Sequence, residues 1–490
     1  MPDTGYPDFM NALVPGIYTW SKATISHNTV TVDAGGQSAN PGGQVRRILS
    51  TNSVQYCDLD ANGNYPQTSV YRRALALIAT DHENAYALDV FRVAGGEQHD
   101  YSLHGAVGES TILAGEFGPA RTAGTLAGED VAVGQIYDNA TMGAEGYGGG
   151  FSGYLGSGFQ HLINPRRQLT PGPVVLHIDP TQEPDVKLRM HILPRAEQRV
   201  ILAQAQVSPI KRPDLLPFAI VRAEGEELAS TFVSVLEPFT AEPLIERVEA
   251  LTTEGDAIAV RVIRPGATDV LLQAPDDGTL RPAGDAFFTD AALAVVTFAP
   301  DGVWQRVVAS GGTHVAIGDE EIAFDPPIYG VVESVAPQAN TITVSWKGVV
   351  PQADVLVGRD VLVMNDRLTS VFRVVEAEAA GASTTLKLRA SILNGRGRVT
   401  DLDEEARTLA TDSRMLFQAK YAGMRVVSES FEGYLPIVSA TGGRFLLDTD
   451  EPLADLFTDP NGDGRAEFCV SVIGPGDRLL LPPGIEVTRQ

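Results

Sequence analysis

The chain has 490 residues, of which 43% are hydrophobic and 20% are charged, and its formal net charge is -25. This length exceeds what one ordinary core supports and favours two or three domains. Nucleic acids and anionic membranes are bound through basic patches, so the acidic balance argues against both as partners, whereas a polyanionic substrate would need a local arginine or lysine groove.

Targeting and redox signals are few. The two cysteines, Cys57 and Cys469, form neither a CxxC motif nor a disulfide framework, so they do not fix the redox compartment. The sequence has no apolar run of transmembrane length. Its start lacks the basic and apolar regions of a signal peptide, and any export signal is therefore expected upstream of Met1.

Alternation of apolar and polar residues at every second position runs through much of the chain. In VKLRMHIL, every second residue from Val186 is apolar. TITVSW at 341–346 and TLKLRA at 385–390 alternate in the same way. The stretch WQRVVASGGTHVAI predicts a hairpin that turns at Gly311 and Gly312.

Helical patterns are nearly absent, with short helices predicted only at 10–13 and 404–411. The chain is therefore predicted to be all-β, with a large antiparallel β-sandwich followed by a smaller C-terminal β-barrel or sandwich domain.

Two boundaries divide the predicted strands into domains. A sandwich is expected over 1–325, since the stretch Asp325-Pro326-Pro327 precedes a fresh series of strands. A small barrel-like domain is expected over 326–430. Further strands at 431–490 are expected to pack on the preceding domains, either on this barrel or on the large sandwich.

A glycine-rich loop, MGAEGYGGGFSGYLGSGF at 142–159, carries interleaved aromatic residues. Rings on such a loop can stack on the apolar faces of sugars, so Tyr147 and Tyr154 are predicted to bind substrate. The alternative is a disordered or locally packed surface loop.

Histidines and carboxylates in short polar contexts suggest a metal site. Two imidazoles and one carboxylate form the commonest donor set for a zinc ion with one open position. His27, His99 and His104 lie in such contexts, with Asp58 and Asp60 between them in the sequence. Two of these imidazoles and one carboxylate would supply such a set from neighbouring strands. In the alternative interpretation, His27 and His104 are capping or core-edge residues with satisfied hydrogen bonds.

Two Asp/Asn/Gly stretches resemble the front half of a calcium-binding loop. The better match is DPNGDGRAE at 459–467, where Asp459, Asn461 and Asp463 have the expected spacing. Val470 stands where a bidentate glutamate is needed, so an ordinary turn is the alternative. Signatures of nucleophilic triads and of nucleotide binding do not occur.

The order of several motifs resembles a known family. SHNTVTVDAGGQ at 26–37 and YRRALALIATDHENAYALDVFRVAGGEQHDYSLHG at 71–105 are similar to the β-sandwich part of the heparinase II/III-like polysaccharide lyases. The segments GFQHLINPRR, VKLRMHILP and EELASTFVSVLEPF are also in keeping with such proteins. The resemblance covers about the first 250 residues and only loosely the remainder.

The resemblance implies a large β-sandwich of the supersandwich type and the cleavage of uronic-acid-containing polysaccharides by β-elimination. In this family the glycan lies between the sandwich and an N-terminal helical toroid, which supplies a tyrosine and a histidine. This sequence shows no toroid, so a helical domain or partner chain is expected to complete the site. A non-catalytic carbohydrate-binding or structural β-sandwich is the alternative. The usual substrates imply an extracellular or periplasmic location.

Carried over residue by residue, the resemblance implies roles for six positions. His27, His104 and Asp60 or Asp58 match the ligands of a structural zinc ion, with Asp60 slightly preferred. His99 is the sandwich histidine expected to reach the catalytic cleft, and Tyr101 is the second candidate for a catalytic role.

Overall fold

A computed structural model describes residues 4, 11–38, 43–183, 185–209, 212–413, 419–459 and 466–489. The predicted all-β class is confirmed, since antiparallel strands build every sheet among these residues. The helical elements are single turns. They comprise the α-helices α1 (Ala353–Leu356) and α2 (Leu453–Leu456), a π-helical turn at Ile17–Ser21, and 3-10 turns at Thr24–Ser26, Asn62–Asn64, Phe159–His161 and Ala419–Tyr421.

The strands follow one another in three groups. The first group is β1 Val30–Val32, β2 Gln44–Ser50, β3 Val54–Asp60, β4 Val70–Ala79, β5 Ala85–Ala94, β6 Gln98–His104, β7 Gly108–Ala114, β8 Ile163–Arg167, β9 Val174–Pro180, β10 Lys187–Ile192, β11 Arg199–Ser208, β12 Arg212–Glu224 and β13 Ala229–Phe239. The second group is β14 Arg247–Leu251, β15 Ile258–Arg264, β16 Ala267–Gln273, β17 Arg281–Ala283, β18 Phe287–Thr289, β19 Leu293–Phe298, β20 Trp304–Ser310, β21 His314–Ile317 and β22 Glu320–Ala323. The third group is β23 Ile328–Ala336, β24 Thr341–Lys347, β25 Asp360–Met364, β26 Thr369–Ala380, β27 Ser383–Leu388, β28 Leu393–Asp403, β29 Thr408–Thr411, β30 Arg425–Ser428, β31 Tyr434–Thr441, β32 Arg444–Leu447, β33 Glu467–Ser471, β34 Arg478–Leu481 and β35 Ile485–Thr488.

An eight-stranded sheet forms the middle layer of the large sandwich, in the order β2-β3-β4-β5-β13-β10-β9-β7. One face packs on a five-stranded sheet, β1-β6-β12-β11-β8, around aromatic residues such as Phe91, Tyr101 and Phe232. The other face packs on a six-stranded sheet, β14-β15-β16-β19-β20-β35, through residues such as Tyr86 and Val260. Both faces of the middle sheet are therefore largely covered, and the side chain of each residue points to one layer or the other.

The alternation in VKLRMHIL gives strand β10 its two faces. Leu188, Met190 and Ile192 belong to the core against the five-stranded sheet. Arg189 and His191 alternate with them and point to the opposite layer.

The predicted hairpin at Gly311 and Gly312 is wrong. Strand β20 pairs with β19 and β35 in the six-stranded sheet, whereas β21 pairs with β18 and β22 in a separate four-stranded sheet, β17-β18-β21-β22. The chain passes from one sheet to the other here. Gly311 has a φ of 75°, a left-handed value that favours glycine, and its backbone lies close to the Arg47 side chain.

Two closed six-stranded barrels follow among the described residues, each with its own apolar core. The first barrel has the order β23-β24-β27-β26-β25-β34, and the second has the order β28-β29-β32-β31-β30-β33. Strands of the second barrel come from both sides of residue 430, and β35 returns to the large sandwich. The helix predicted at 404–411 is wrong, because Thr408–Thr411 is strand β29. Residue 10 of the other predicted helix lies outside the described residues, and 11–13 are not helical.

The N-terminal turns cover the outer face of the five-stranded sheet. Trp20 and Ile25 pack there with Phe159 and Phe218 in a buried cluster. His161 lies in the same layer, with its Nε2 3.0 Å from the Thr19 hydroxyl and its ring centroid 5.5 Å from that of Trp20. Burial lowers the pKa of His161 to about 4. None of the helices in the described ranges is long and apolar enough to cross a membrane.

The buried His161 predicts a loss of stability in acid. The imidazole of His161 takes up a proton below its ordinary pKa of 6.5 in the unfolded chain, but only near pH 4 in the folded chain. Protonation therefore favours the unfolded chain, so the free energy of unfolding is highest above pH 6.5 and decreases as the pH falls. The loss between about pH 7.5 and about pH 5 is about 2 kcal/mol. His161→Gln should therefore show a smaller decrease in melting temperature between these two pH values than wild type. His82→Gln, at an exposed position, is the matched control. Equal decreases in all three proteins would contradict this account.

Candidate functional site

The His27 segment, residues 27–29, joins the turn Thr24–Ser26 to β1 at one edge of the five-stranded sheet. The His27 N–H donates to the Thr24 carbonyl at 3.1 Å, and the Thr29 N–H donates to the His27 carbonyl at 2.9 Å. These bonds end the turn and start the extended chain. The imidazole of His27 is half-buried.

Asn28 links the five-stranded sheet to the eight-stranded sheet. Its side-chain Oδ1 accepts the His104 N–H at 2.8 Å, which fixes it to the end of β6 in the five-stranded sheet. Its carbonyl accepts a hydrogen bond from Arg73 Nη1 at 2.7 Å, which fixes it to β4 in the eight-stranded sheet. The position of His27 therefore depends on both sheets.

A buried carboxylate holds Arg73 in place. Arg73 donates to Asp89 through Nε at 2.9 Å and through Nη2 at 2.5 Å, and the Tyr101 hydroxyl donates to the same carboxylate at 2.7 Å. Asp89 is fully buried. Burial alone would lower the pKa of Arg73, but the Asp89 carboxylate raises it. The guanidinium therefore stays charged, and its third hydrogen-bonding group is available for Asn28.

A second network reaches the segment through Tyr71. The Tyr71 hydroxyl donates to the Val30 carbonyl at 2.6 Å and accepts from Gln37 Nε2 at 2.6 Å, and the Thr29 hydroxyl lies 3.0 Å away. Asn64 Nδ2 donates to Gln37 Oε1 at 3.3 Å. Burial raises the pKa of Tyr71 to about 12. Tyr71 is thus a protonated positioning residue at neutral pH.

The sequence prediction assigned no role to Gln37, Tyr71, Arg73 or Asp89. All four lie inside the two long motifs that carry the family resemblance. The available signal was that Tyr71, Arg73 and Asp89 carry polar groups within strands that otherwise bury apolar side chains.

The structure places His99 and Tyr101 inside the sandwich, between the five-stranded and eight-stranded sheets. His99 is fully buried, with Nδ1 2.9 Å from the Ser230 hydroxyl and Nε2 2.8 Å from the Gly95 carbonyl, and burial lowers its pKa. Tyr101 is also fully buried and stacks on Phe232, and burial raises its pKa well above the ordinary value. Neither side chain can contact a polymer while the sheets are packed together.

The carboxylates predicted as zinc ligands lie on the opposite face of the eight-stranded sheet from the His27 segment. Asp58 and Asp60 share one face of β3 with Val54 and Tyr56, which pack against the six-stranded sheet. His104 points away from them, with its ring centroid 5.0 Å from that of Phe218 in the outer layer.

Arginines already engage both carboxylates. Arg72 pairs with Asp58 through both oxygens, with an Nε–Oδ1 distance of 2.7 Å. Arg46 Nε donates to Asp60 Oδ2 at 2.9 Å. Across the ranges that the structure describes, no three His, Cys, Asp or Glu side chains are placed to hold a metal ion. The residues present therefore do not fit the predicted ligand set, and zinc stays a prediction from the resemblance.

The glycine-rich loop packs on itself and on neighbouring segments. The Tyr154 side chain is buried, and its hydroxyl donates to Asp138 Oδ1 at 2.8 Å. Tyr147 is half-buried, donates to the Gly150 carbonyl at 3.0 Å, and meets Phe151 edge to face. These contacts correspond to the alternative interpretation, a locally packed loop.

The predicted calcium site lies partly outside the described residues. Asp459 is described and has an interaction partner. Asn461 and Asp463 lie outside the described residues. The calcium site stays a prediction.

Comparisons with known proteins add a partial structural likeness. No model of a protein family matches this sequence, and a search of curated proteins finds no match. A heparan sulfate lyase from Pedobacter heparinus is similar at 12% identity, with a TM-score of 0.33 over 55% of this chain and 34% of the lyase. A mutant of that lyase is similar at 11% identity, with the same TM-score and coverage. A heparinase III structure is similar at 8% identity, with a TM-score of 0.29 over 52% of this chain and 30% of that one.

All three are heparan sulfate lyases or heparinases. The chain spans about a third of the length of each of these structures, and about half of this chain takes part in the match.

The position of Asp58 predicts that its substitution affects stability and not metal content. Asp58→Asn leaves the Arg72 guanidinium in a largely buried place without its carboxylate, which for a buried pair costs about 3–5 kcal/mol. Asp60→Asn is the matched control and should cost less, because Arg46 is half exposed. Melting temperatures are measured with and without a chelator, and bound zinc is quantified.

For each variant, the decrease in melting temperature relative to wild type is expected to be the same with the chelator as without it. Loss of bound zinc in Asp58→Asn, together with a chelator effect confined to wild type, would instead support the predicted zinc site.

Proposed function

We propose that this chain supplies the β domains of a polysaccharide lyase that cleaves uronic-acid-containing glycans by β-elimination. The convergence of the motif residues carries this proposal. Gln37, Tyr71 and Arg73 come from different stretches of the sequence and meet around the His27 segment through hydrogen bonds. Such a network positions one half-buried imidazole at the edge of a rigid sandwich.

The reaction needs a group of this kind. β-Elimination removes the C5 proton of the uronate, requires its carboxylate to be neutralised, and protonates the C4 oxygen that leaves. The C5 proton is weakly acidic, so the site must place an acid or base accurately and stabilise an enolate-like intermediate. An imidazole can accept or donate a proton near neutral pH.

Among the three motif histidines to which the resemblance gives a role, His27 is the one with access to solvent. His99 and His104 are fully buried, whereas His27 is half-buried. We therefore assign to His27 the contact with the glycan. Asn28 and Arg73 are positioning residues, because they act on the imidazole through the backbone beside it.

Other parts of the proposal rest on the family resemblance alone. A helical toroid, as a domain or a partner chain, would supply a tyrosine and a further histidine. The rate of this chain by itself is therefore expected to be low. An extracellular or periplasmic location is proposed on the same ground.

A non-catalytic glycan-binding protein is the second candidate function. The observation that favours it is the burial of His99 and Tyr101, since both residues to which the resemblance gives catalytic roles have no exposed surface.

The two candidates differ in product formation. The full chain is incubated with heparin, heparan sulfate, chondroitin sulfate and alginate, and the unsaturated uronate is followed by its ultraviolet absorbance. Retention on the same glycans, immobilised, is measured in parallel. We expect slow product formation from at least one glycan, and a rate about 100-fold lower for His27→Gln. His82→Gln, at an exposed position in a turn, should behave as wild type.

Retention without product in wild type would favour the binding protein. Product formation that is equal in wild type and His27→Gln would overturn the role of His27, and neither product nor retention would contradict both candidates.

A further inference from the structure

A cavity of about 410 Å³ opens between the five-stranded and eight-stranded sheets, at the edge opposite the His27 segment. The outermost strands there are β7 of the eight-stranded sheet and β8 of the five-stranded sheet, whereas β1 and β2 are the outermost strands at the other edge. Because it lies at the opposite edge, this cavity is separate from the His27 segment. Its volume is within the range of about 300–1,000 Å³ that is common for ligand sites.

The depth of this cavity is aliphatic. Leu176, Ile178 and Met190 of the eight-stranded sheet form one wall and are almost completely buried, and Leu202 and Ala219 of the five-stranded sheet face them. Apolar cavities of this kind hold few ordered waters, because a water needs two to four polar partners. Such a lining suits an alkyl chain.

The mouth of the cavity is polar and carries one positive charge. Arg166 lies there, opposite Leu202 in the pairing of β8 with β11. Its Nε donates to the Gly118 carbonyl at 3.1 Å, and its guanidinium lies 6.0 Å from the centroid of the Phe117 ring. Within the described ranges it forms no ion pair with a carboxylate.

The backbone beside Arg166 is irregular. The pairing of β8 with β11 shifts register between Leu202 and Gln204, and Asn164 has a φ of 52°, a left-handed value that residues other than glycine rarely adopt. The Asn164 amide donates to Gln204 Oε1 at 3.1 Å, so two amide side chains stand at the mouth next to the guanidinium. Bulges and backbone strain of this kind cluster at binding sites.

We propose that this cavity binds an amphipathic carboxylate, with its alkyl chain between the sheets and its carboxylate on Arg166. The aliphatic depth supplies affinity through the burial of methylene groups. The guanidinium supplies specificity for an anion, since it can donate two parallel hydrogen bonds to a carboxylate. A sugar fits less well, because most of its hydroxyl groups would face aliphatic side chains.

The test measures binding of dodecanoate and of dodecanol to the full chain by calorimetry. Wild type should bind dodecanoate saturably at one site. Arg166→Gln should weaken dodecanoate about tenfold and leave dodecanol within about twofold, because only the carboxylate interacts with the guanidinium. Arg167→Gln is the matched control, since the next residue on β8 is exposed and points to the other face.

A second pair of variants tests the location. Ser110→Phe, at an exposed position of β7 that lines the mouth, should weaken both ligands, whereas Thr111→Phe on the opposite face should weaken neither. The absence of saturable dodecanoate binding, equal effects of Arg166→Gln and Arg167→Gln, or equal effects of the two phenylalanine variants would overturn the proposal.

Discussion

The buried carboxylate of Asp89 is the interaction on which the position of the His27 segment depends. A carboxylate without exposed surface is stable only if charged and polar groups satisfy it. Arg73 provides two of these bonds and Tyr101 a third, and they come from different sheets. Asp89 thus ties β4 and β5 of the middle sheet to β6 of the five-stranded sheet.

The consequences extend from this ion pair to the edge of the sandwich. Arg73 has one hydrogen-bonding group left, and it holds the Asn28 carbonyl. In a similar way, the Tyr71 hydroxyl holds the Val30 carbonyl. Strand β1 has three residues and a single neighbour in its sheet, so pairing alone would hold it weakly. The polar residues of the motifs therefore act mainly as a support for a short edge segment, and the proposed chemistry depends on the one imidazole that this support presents.

Part of this architecture could be predicted from the sequence. Alternation identified the strands β10, β24 and β27, because a side chain's face repeats every second residue. Alternation also implies that Asp58 and Asp60 share a face, but it does not say which layer that face meets. The same limit applies to His99, whose imidazole meets Ser230 on β13 of the facing sheet, 131 positions away in the sequence. The sequence also holds no local signal for the change of sheet after β20, because that change depends on the strands with which β20 and β21 pair.

The central claim is that the Asp89–Arg73 pair holds the His27 segment in place, and hydrogen exchange in Arg73→Met tests it most directly. If the Asp89–Arg73 pair holds the His27 segment, the amides of residues 27–32 lose most of their protection, while the amides of β24 in the first barrel stay protected and show that the chain is folded. Arg46→Met, which removes an arginine from the opposite face of the same sheet, should leave residues 27–32 protected. Unchanged protection of residues 27–32 in Arg73→Met would contradict the account.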